Sequence, residues 1–198
     1  MKRDAAPARM TTAPFPPILD GHNDTLLALY LPERSRGRDF FEHGDSGHID
    51  LPRARDGGLG GAFFAVFVPS PAASGDGLTI TGTGYEVRLA EPLELAYAQS
   101  MTIAITASLF RLEARSGGQL RVVRTVAELA AAQQDGVLAA ILHFEGAESI
   151  DPDLDALEVF YRAGLRSLGL VWSRPNAFGH GVPFRFPVRR RCPFHWKA

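Results

Sequence analysis

The sequence predicts an α/β fold with a parallel sheet, and three observations lead to this prediction. Residues 62–68 and 138–144 are uncharged or apolar without alternation, as strands buried on both faces of a sheet usually are. Helix-forming segments lie between these runs and begin at capping residues. Strands and helices alternate along 198 residues, a length that suits one domain.

Four strands are predicted, near 16–20, 62–68, 138–144 and 166–172. A helical turn is expected at 25–31, and Asp50 is expected to N-cap a second helix. Residues 69–84 are rich in glycine, serine, threonine and proline, which predicts a loop.

Three more helices follow from composition and capping signals. The leucine-rich segment 85–115 predicts a long helix, with Pro92 in an early turn or at a kink. Thr125 and Glu128 form a capping-box pattern that opens a short helix. A last helix is predicted from an N-cap at Asp151 to a stop at Gly164.

Composition and charge limit the classes of function. Apolar residues make up 45% and charged residues 22%, as in soluble globular proteins. Five positive charges fall in the last fourteen residues; subtracting them from the net charge of −1 leaves −6 on residues 1–184. This mildly acidic body predicts no nucleic-acid partner. No apolar run approaches the roughly 18 residues that a membrane span needs.

The two ends and the single cysteine support further expectations. Cys192 alone excludes an internal disulfide and indicates a reducing compartment, so a cytoplasmic location is expected. Residues 1–15 lack an apolar signal core and are expected to be disordered. The folded domain is expected at 16–187, and 188–198 is a basic tail without helix or strand period.

The candidate site begins with Asp20-Gly21-His22-Asn23-Asp24 at the end of the first predicted strand. His22 and Asp24 are two residues apart, so they share a face of a strand and could bind one divalent ion such as zinc. Taken alone, this tripeptide is better explained by a hydrogen bond or a turn cap. Another such tripeptide, at 48–50, is assigned to helix capping by Asp50.

Glu145 follows the third predicted strand directly. Side chains at the carboxyl ends of parallel strands meet at one edge of a sheet, so Glu145 is expected near His22 and Asp24. Alone it could equally be a solvated loop acid. The three together favour a shared metal site, in which a carboxylate can bridge two ions and activate a water.

Several longer motifs occur in a matching order, and together they resemble the membrane (renal-type) dipeptidase family of zinc metallopeptidases. The resemblance covers about 18–181. Its motifs are Asp20-Gly21-His22-Asn23-Asp24, His48-Ile49-Asp50-Leu51-Pro52, Gly57-Gly58-Leu59-Gly60-Gly61-Ala62-Phe63-Phe64, Glu145-Gly146-Ala147-Glu148-Ser149-Ile150 and Phe160-Tyr161-Arg162-Ala163-Gly164-Leu165-Arg166.

The resemblance implies a TIM-like (β/α) barrel with two zinc ions, of which this chain would form about the first half, incomplete at the C-terminus. It implies that His22 and Asp24 bind the first zinc, and that Glu145 bridges both ions and is catalytic. A bridging hydroxide would attack a dipeptide substrate, often one with a D-residue at its C-terminal position. Several bacterial members are soluble and cytoplasmic.

Two departures from the family pattern qualify this expectation. Trp172 stands where many members have a histidine that is thought to contact substrate, and an indole cannot act as an acid or acceptor there. The histidines of the second zinc site come from later strands, and His180 is expected to be a loop residue.

These departures predict a truncated chain that is inactive alone. Such a chain would self-associate or aggregate through open barrel edges. The alternatives are a non-catalytic metal-binding remnant and an unrelated α/β binding module.

Overall fold

The computed structural model describes residues 16–71, 77–182 and 184–187. Within them lie a parallel sheet and a separate antiparallel sheet of three short strands. The expectations for 1–15 and for 188–198 fall outside the described residues. The strands are β1 (Ile18–Asn23), β2 (Leu59–Val66), β3 (Leu78–Thr81), β4 (Gly84–Val87), β5 (Leu120–Val122), β6 (Leu138–Glu145), β7 (Leu165–Gly169) and β8 (Arg185–Phe186).

The parallel sheet is built around β2 and β6, which pair with each other. On the far side of β2 lies β1. On the far side of β6, β5 pairs with its first residues and β7 with its last. Since every pairing is parallel, the carboxyl ends of β1, β2, β6 and β7 meet at one edge of the sheet.

Six helices accompany the strands in the described part of the chain. They are α1 (Thr25–Tyr30), α2 (Pro32–Ser35), α3 (Leu51–Asp56), α4 (Leu95–Arg115), α5 (Val126–Gln134) and α6 (Asp155–Ala163). None of these helices is long and apolar enough to cross a membrane.

Most of the core lies between one face of the parallel sheet and the helices. Phe64 of β2 and Leu142 of β6 are both fully buried there, together with Leu26 of α1 and Leu109 of α4. The opposite face buries a smaller cluster, in which Ile141 packs with Ala132 of α5. Strands buried on both faces explain why β2 and β6 have continuous apolar sequences.

Capping residues begin and end several helices as predicted. The Asp50 carboxylate accepts a hydrogen bond from the Arg53 N–H at the start of α3. The Thr125 hydroxyl accepts one from the Glu128 N–H at the start of α5. Gly164 ends α6 at a φ of 127°, a conformation that L-residues rarely adopt.

The prediction for residues 69–115 was wrong in part. Residues 84–87 are strand β4 rather than the start of the long helix, and β3 lies inside the predicted loop. The long helix begins at Leu95, beyond Pro92, which has no N–H to donate within a helix. The leucine content of 85–115 led to the helix prediction over β4, and the glycine, serine, threonine and proline content of 69–84 led to the loop prediction over β3.

Other boundaries are displaced by a few residues. The first strand is Ile18–Asn23 rather than 16–20, and the last is Leu165–Gly169 rather than 166–172. The final helix begins at Asp155, four residues after Asp151, although the Asp151 carboxylate still accepts hydrogen bonds from the Asp155 and Ala156 N–H groups. Strand β5 was not predicted, because three residues carry too little periodicity.

Candidate metal centre

Three side chains from separate elements converge at the carboxyl edge of the parallel sheet. His22 lies near the end of β1, and Glu145 is the last residue of β6. Asp24 is the N-cap residue of α1, one position beyond β1. One ligand-type atom from each side chain lies within 4.8 Å of the other two. The predicted convergence of these residues is therefore what the structure shows, while their roles as ligands stay a prediction.

His22 is the centre of this cluster. Its Nε2 lies 3.3 Å from Glu145 Oε2 and 3.8 Å from Asp24 Oδ1. The exposed fraction of the side chain is 21% for Glu145, 40% for His22 and 56% for Asp24, so the cluster opens to solvent on the Asp24 side.

Local hydrogen bonds fix the backbone that carries His22 and Asp24. The Asn23 amide donates to Phe63 O of β2 and to the Asp20 carboxylate. Its own oxygen accepts from the Thr25 N–H, where α1 begins. The β1–β2 register shifts between Asp20 and Asn23, so the strand is irregular where His22 stands. Asn23 thereby anchors the bend that turns both candidate ligands towards β6.

The pKa of Glu145 depends on both its burial and the charges around it. Burial raises the pKa of its carboxyl group above the ordinary value; His22 opposes this effect, and the Asp24 and Glu148 carboxylates add to it. Two carboxylates beside one imidazole repel each other, and a bound cation would relieve that repulsion.

His143 is a site residue that the sequence prediction missed. It lies two positions before Glu145 in β6, so it faces the same side of the sheet. Its ring packs edge-on against His22, with 5.4 Å between centroids, and a 2.9 Å hydrogen bond joins its Nδ1 to Ser167 Oγ of β7. Burial lowers the pKa of His143, and His22 lowers it further, while Ser167 acts in the opposite direction. The sequence signal for His143 was its position two residues before Glu145, since side chains two apart in a strand share a face.

The donor set fits a zinc-like cation. Zinc takes histidine nitrogen and carboxylate oxygen ligands at about 2.0–2.2 Å, so two ligands at tetrahedral positions lie about 3.4 Å apart. The distances of 3.3 Å and 3.8 Å from His22 Nε2 are close to that spacing. Among residues 16–71, 77–182 and 184–187, this is the one group of three such side chains placed to hold a metal.

Trp172 and His180 both lie beyond β7. Trp172 is 48% exposed and contacts Phe67 and Phe184 edge-on, each at 5.7 Å between centroids. His180 lies further along the same connection, and it does not belong to the cluster of three.

A sequence model described as membrane dipeptidase (peptidase family M19) matches residues 12–186. This chain belongs to that family. The resemblance found in the motifs is confirmed, and the alternative of an unrelated α/β binding module is wrong. Because the family consists of metallopeptidases, the match also supports a metal at the cluster of His22, Asp24 and Glu145.

Two solved structures resemble this chain closely. One is a metallopeptidase from Rhodobacter sphaeroides, liganded with a phosphinate mimic of the dipeptide L-Ala-D-Ala. It is 44% identical to this chain with a TM-score of 0.77, and the match covers 87% of this chain and 50% of that one. A dipeptidase called AC, of family M19, is also 44% identical with a TM-score of 0.74, covering 87% and 47%.

A curated relative from Acinetobacter calcoaceticus, described as an uncharacterized protein in the PQQ-III 3' region, is 31% identical over 86% of this chain and 53% of its own length. The chain thus spans about half the length of each of these three proteins. The predicted fold class, an α/β fold amounting to about half of a TIM-like barrel, is confirmed.

Proposed function

We propose that this chain provides the first zinc site of a dipeptidase. The observation that carries the proposal is the convergence of His22, Asp24 and Glu145 in a chain of the M19 family. The 44% identical Rhodobacter sphaeroides peptidase binds a mimic of L-Ala-D-Ala, which supports a dipeptide substrate with a D-residue at its C-terminal position.

The residues of this chain would have distinct roles. His22 and Asp24 would bind one zinc ion, and Glu145, with two carboxylate oxygens, would bind the same ion and a second one. When bound, zinc would polarise the peptide carbonyl and activate the attacking water. His143 would hold the His22 ring from the side, through its contact with that ring and its hydrogen bond to Ser167.

A non-catalytic metal-binding protein is the second candidate function. It is favoured by one observation: the described residues offer ligands for a single ion. For this reason we expect the 198-residue chain to bind zinc without hydrolysing dipeptides. Zinc-dependent hydrolysis by the chain alone would show that a second set of ligands is present.

A chimera separates the two functions. Residues 16–187 would replace the matched half of the Rhodobacter sphaeroides peptidase, and hydrolysis of L-Ala-D-Ala would be measured with and without zinc. The dipeptidase proposal expects zinc-dependent hydrolysis that Glu145→Gln abolishes. A folded, zinc-loaded chimera that does not hydrolyse the dipeptide would contradict it and favour the non-catalytic function.

A further inference from the structure

A buried arginine, Arg174, lies in the connection that follows β7. The Arg174 side chain is 6% exposed, and its guanidinium donates hydrogen bonds to three groups. These are Val68 O at 3.0 Å, Ser70 Oγ at 3.0 Å and Glu148 Oε1 at 3.4 Å. Val68 and Ser70 follow β2, and Glu148 follows β6. One side chain therefore joins the segments beyond three neighbouring strands.

Glu148 connects this arginine to the residue next to Glu145. Its carboxylate is 5% exposed and lies against Gly146, where an added Cβ would overlap Glu148 Oε2. Gly146 also has a φ of 114°, so a side chain there would be strained for a second reason. The backbone directly after Glu145 thus rests on the Glu148 carboxylate.

The same backbone is held from the side by β7. The Gly146 N–H donates to Gly169 O and the Ala147 N–H to Leu170 O, both at 3.0 Å. Pairing between β6 and the β7 segment therefore continues past Glu145. In addition to this strand pairing, the Glu148 carboxylate lies against the turn at Gly146.

The two charges depend on each other because both are buried. Burial raises the pKa of Glu148, and Arg174 acts against this effect. Removing one partner of a buried pair leaves the other charge uncompensated, so the remaining side chain must move or take up solvent. Such movement would reach Gly146 first, and Glu145 is its chain neighbour.

We propose that Arg174 is a positioning residue for the metal centre: through Glu148 it fixes the turn at Gly146 and, with it, the direction of the Glu145 carboxylate. The inference rests on the proposed function for the role of Glu145. The polar partners of Arg174 are Val68, Ser70 and Glu148, so it acts on the candidate ligands through other residues. Residues that orient metal ligands from outside typically change metal affinity by about 10–100-fold when they are replaced.

The test compares Arg174→Met with Arg162→Met in the 198-residue chain. Arg162 is a matched control, because it also pairs with a glutamate, Glu158, but its side chain is 79% exposed. The first measurement is the affinity and the visible spectrum of cobalt(II), which serves as a probe for zinc sites. The second is the NMR spectrum of the metal-free protein at one pH, in which the His22 ring resonances are assigned by comparison with His22→Asn. The resonances report on Glu145 because its carboxylate lies 3.3 Å from the His22 ring.

We expect Arg174→Met to weaken cobalt binding about 10–100-fold, alter the cobalt spectrum and shift the His22 resonances, with Arg162→Met changing none of these. A folded Arg174→Met variant with native resonances and cobalt affinity would overturn the inference and leave the proposed function standing. If the native chain binds no cobalt, the proposed function fails, and the resonances still decide whether Arg174 positions Glu145. If Arg174→Met does not fold, Glu148→Gln carries the same test, since an amide preserves the shape of the side chain.

Discussion

The chain contains the tripeptide His-x-Asp three times, at 22–24, 43–45 and 48–50, and the first and last copies have different environments. In both, the aspartate is the N-cap residue of a short helix: Asp24 precedes α1 and Asp50 precedes α3. Asp50 is 1% exposed and accepts hydrogen bonds from the N–H groups of Arg53 and Gly44 and from the Arg53 guanidinium. The Asp24 side chain is 56% exposed and makes no capping hydrogen bond.

The difference shows why the tripeptide alone cannot identify a metal site. The oxygens of Asp50 are occupied by donors from its own chain, so a cation would have to displace them. Asp24 instead points towards His22 and Glu145, and Glu145 comes from a strand more than a hundred residues later. Availability of the carboxylate and a partner across the sheet separate the two copies.

The largest expected difference concerns zinc. His22→Ala should abolish stoichiometric zinc binding, because it removes the ligand that lies closest to both carboxylates. His48→Ala, the same substitution in the tripeptide at 48–50, should leave the zinc content unchanged. Equilibrium dialysis followed by elemental analysis measures both variants. Undiminished zinc in His22→Ala would mean that the ion binds elsewhere.

The next difference concerns stability, and here the larger effect is expected from the aspartate at position 50. Asp50→Ala should lower the free energy of unfolding by about 1–3 kcal/mol, because it removes a buried acceptor and leaves partly buried N–H donors without a partner. Asp24→Ala in the metal-free chain should change it by less than about 0.5 kcal/mol, since no capping bond is lost. Urea denaturation measures both values. Equal losses would remove the distinction between the two aspartates.

The smallest difference is a dependence on pH. Burial alone would raise the pKa of Asp50, but hydrogen bonds from Arg53 and Gly44 outweigh it and hold that pKa below the ordinary value. A lowered pKa means that the ionised carboxylate stabilises the fold above about pH 4, and that this contribution is lost as the pH falls through the folded-state pKa. The stability difference between the native chain and Asp50→Asn should therefore shrink from about pH 6 to about pH 3.

A stability difference that stayed constant over this range would show that Asp50 acts through its shape rather than its charge. The exposed pair of Arg88 and Glu91, with the same spacing as Asp50 and Arg53, provides the control. Glu91→Gln should change neither the stability nor its pH dependence measurably, because exposed ion pairs contribute little.

The parallel sheet could be predicted from the sequence because its strands are buried on both faces. Such strands are long apolar runs, so β6 was located to within one residue and β2 to within three. The convergence of His22, Asp24 and Glu145 followed from the shared direction of β1 and β6 in the parallel sheet. The antiparallel sheet was missed, because it places Ile80, Tyr85 and Phe186 on one exposed face, and short alternating strands resemble loop or helix sequences.

The contacts behind the metal centre could not be predicted, because they join residues distant in the sequence. His143 was identifiable from its position two residues before Glu145, but its contact with His22 depends on the distance between β1 and β6. The link from Arg174 to Val68 spans 106 residues and requires that the connections after β2 and β7 fold towards each other. No local pattern encodes either contact.

The most direct test of this account is the anomalous diffraction of zinc in crystals of the zinc-loaded 198-residue chain. We expect an anomalous peak at about 2.0–2.2 Å from His22 Nε2 and from carboxylate oxygens of Asp24 and Glu145. A peak at His48 and Asp50, or zinc bound only away from the carboxyl edge of the parallel sheet, would contradict the assignment of this cluster as the metal centre.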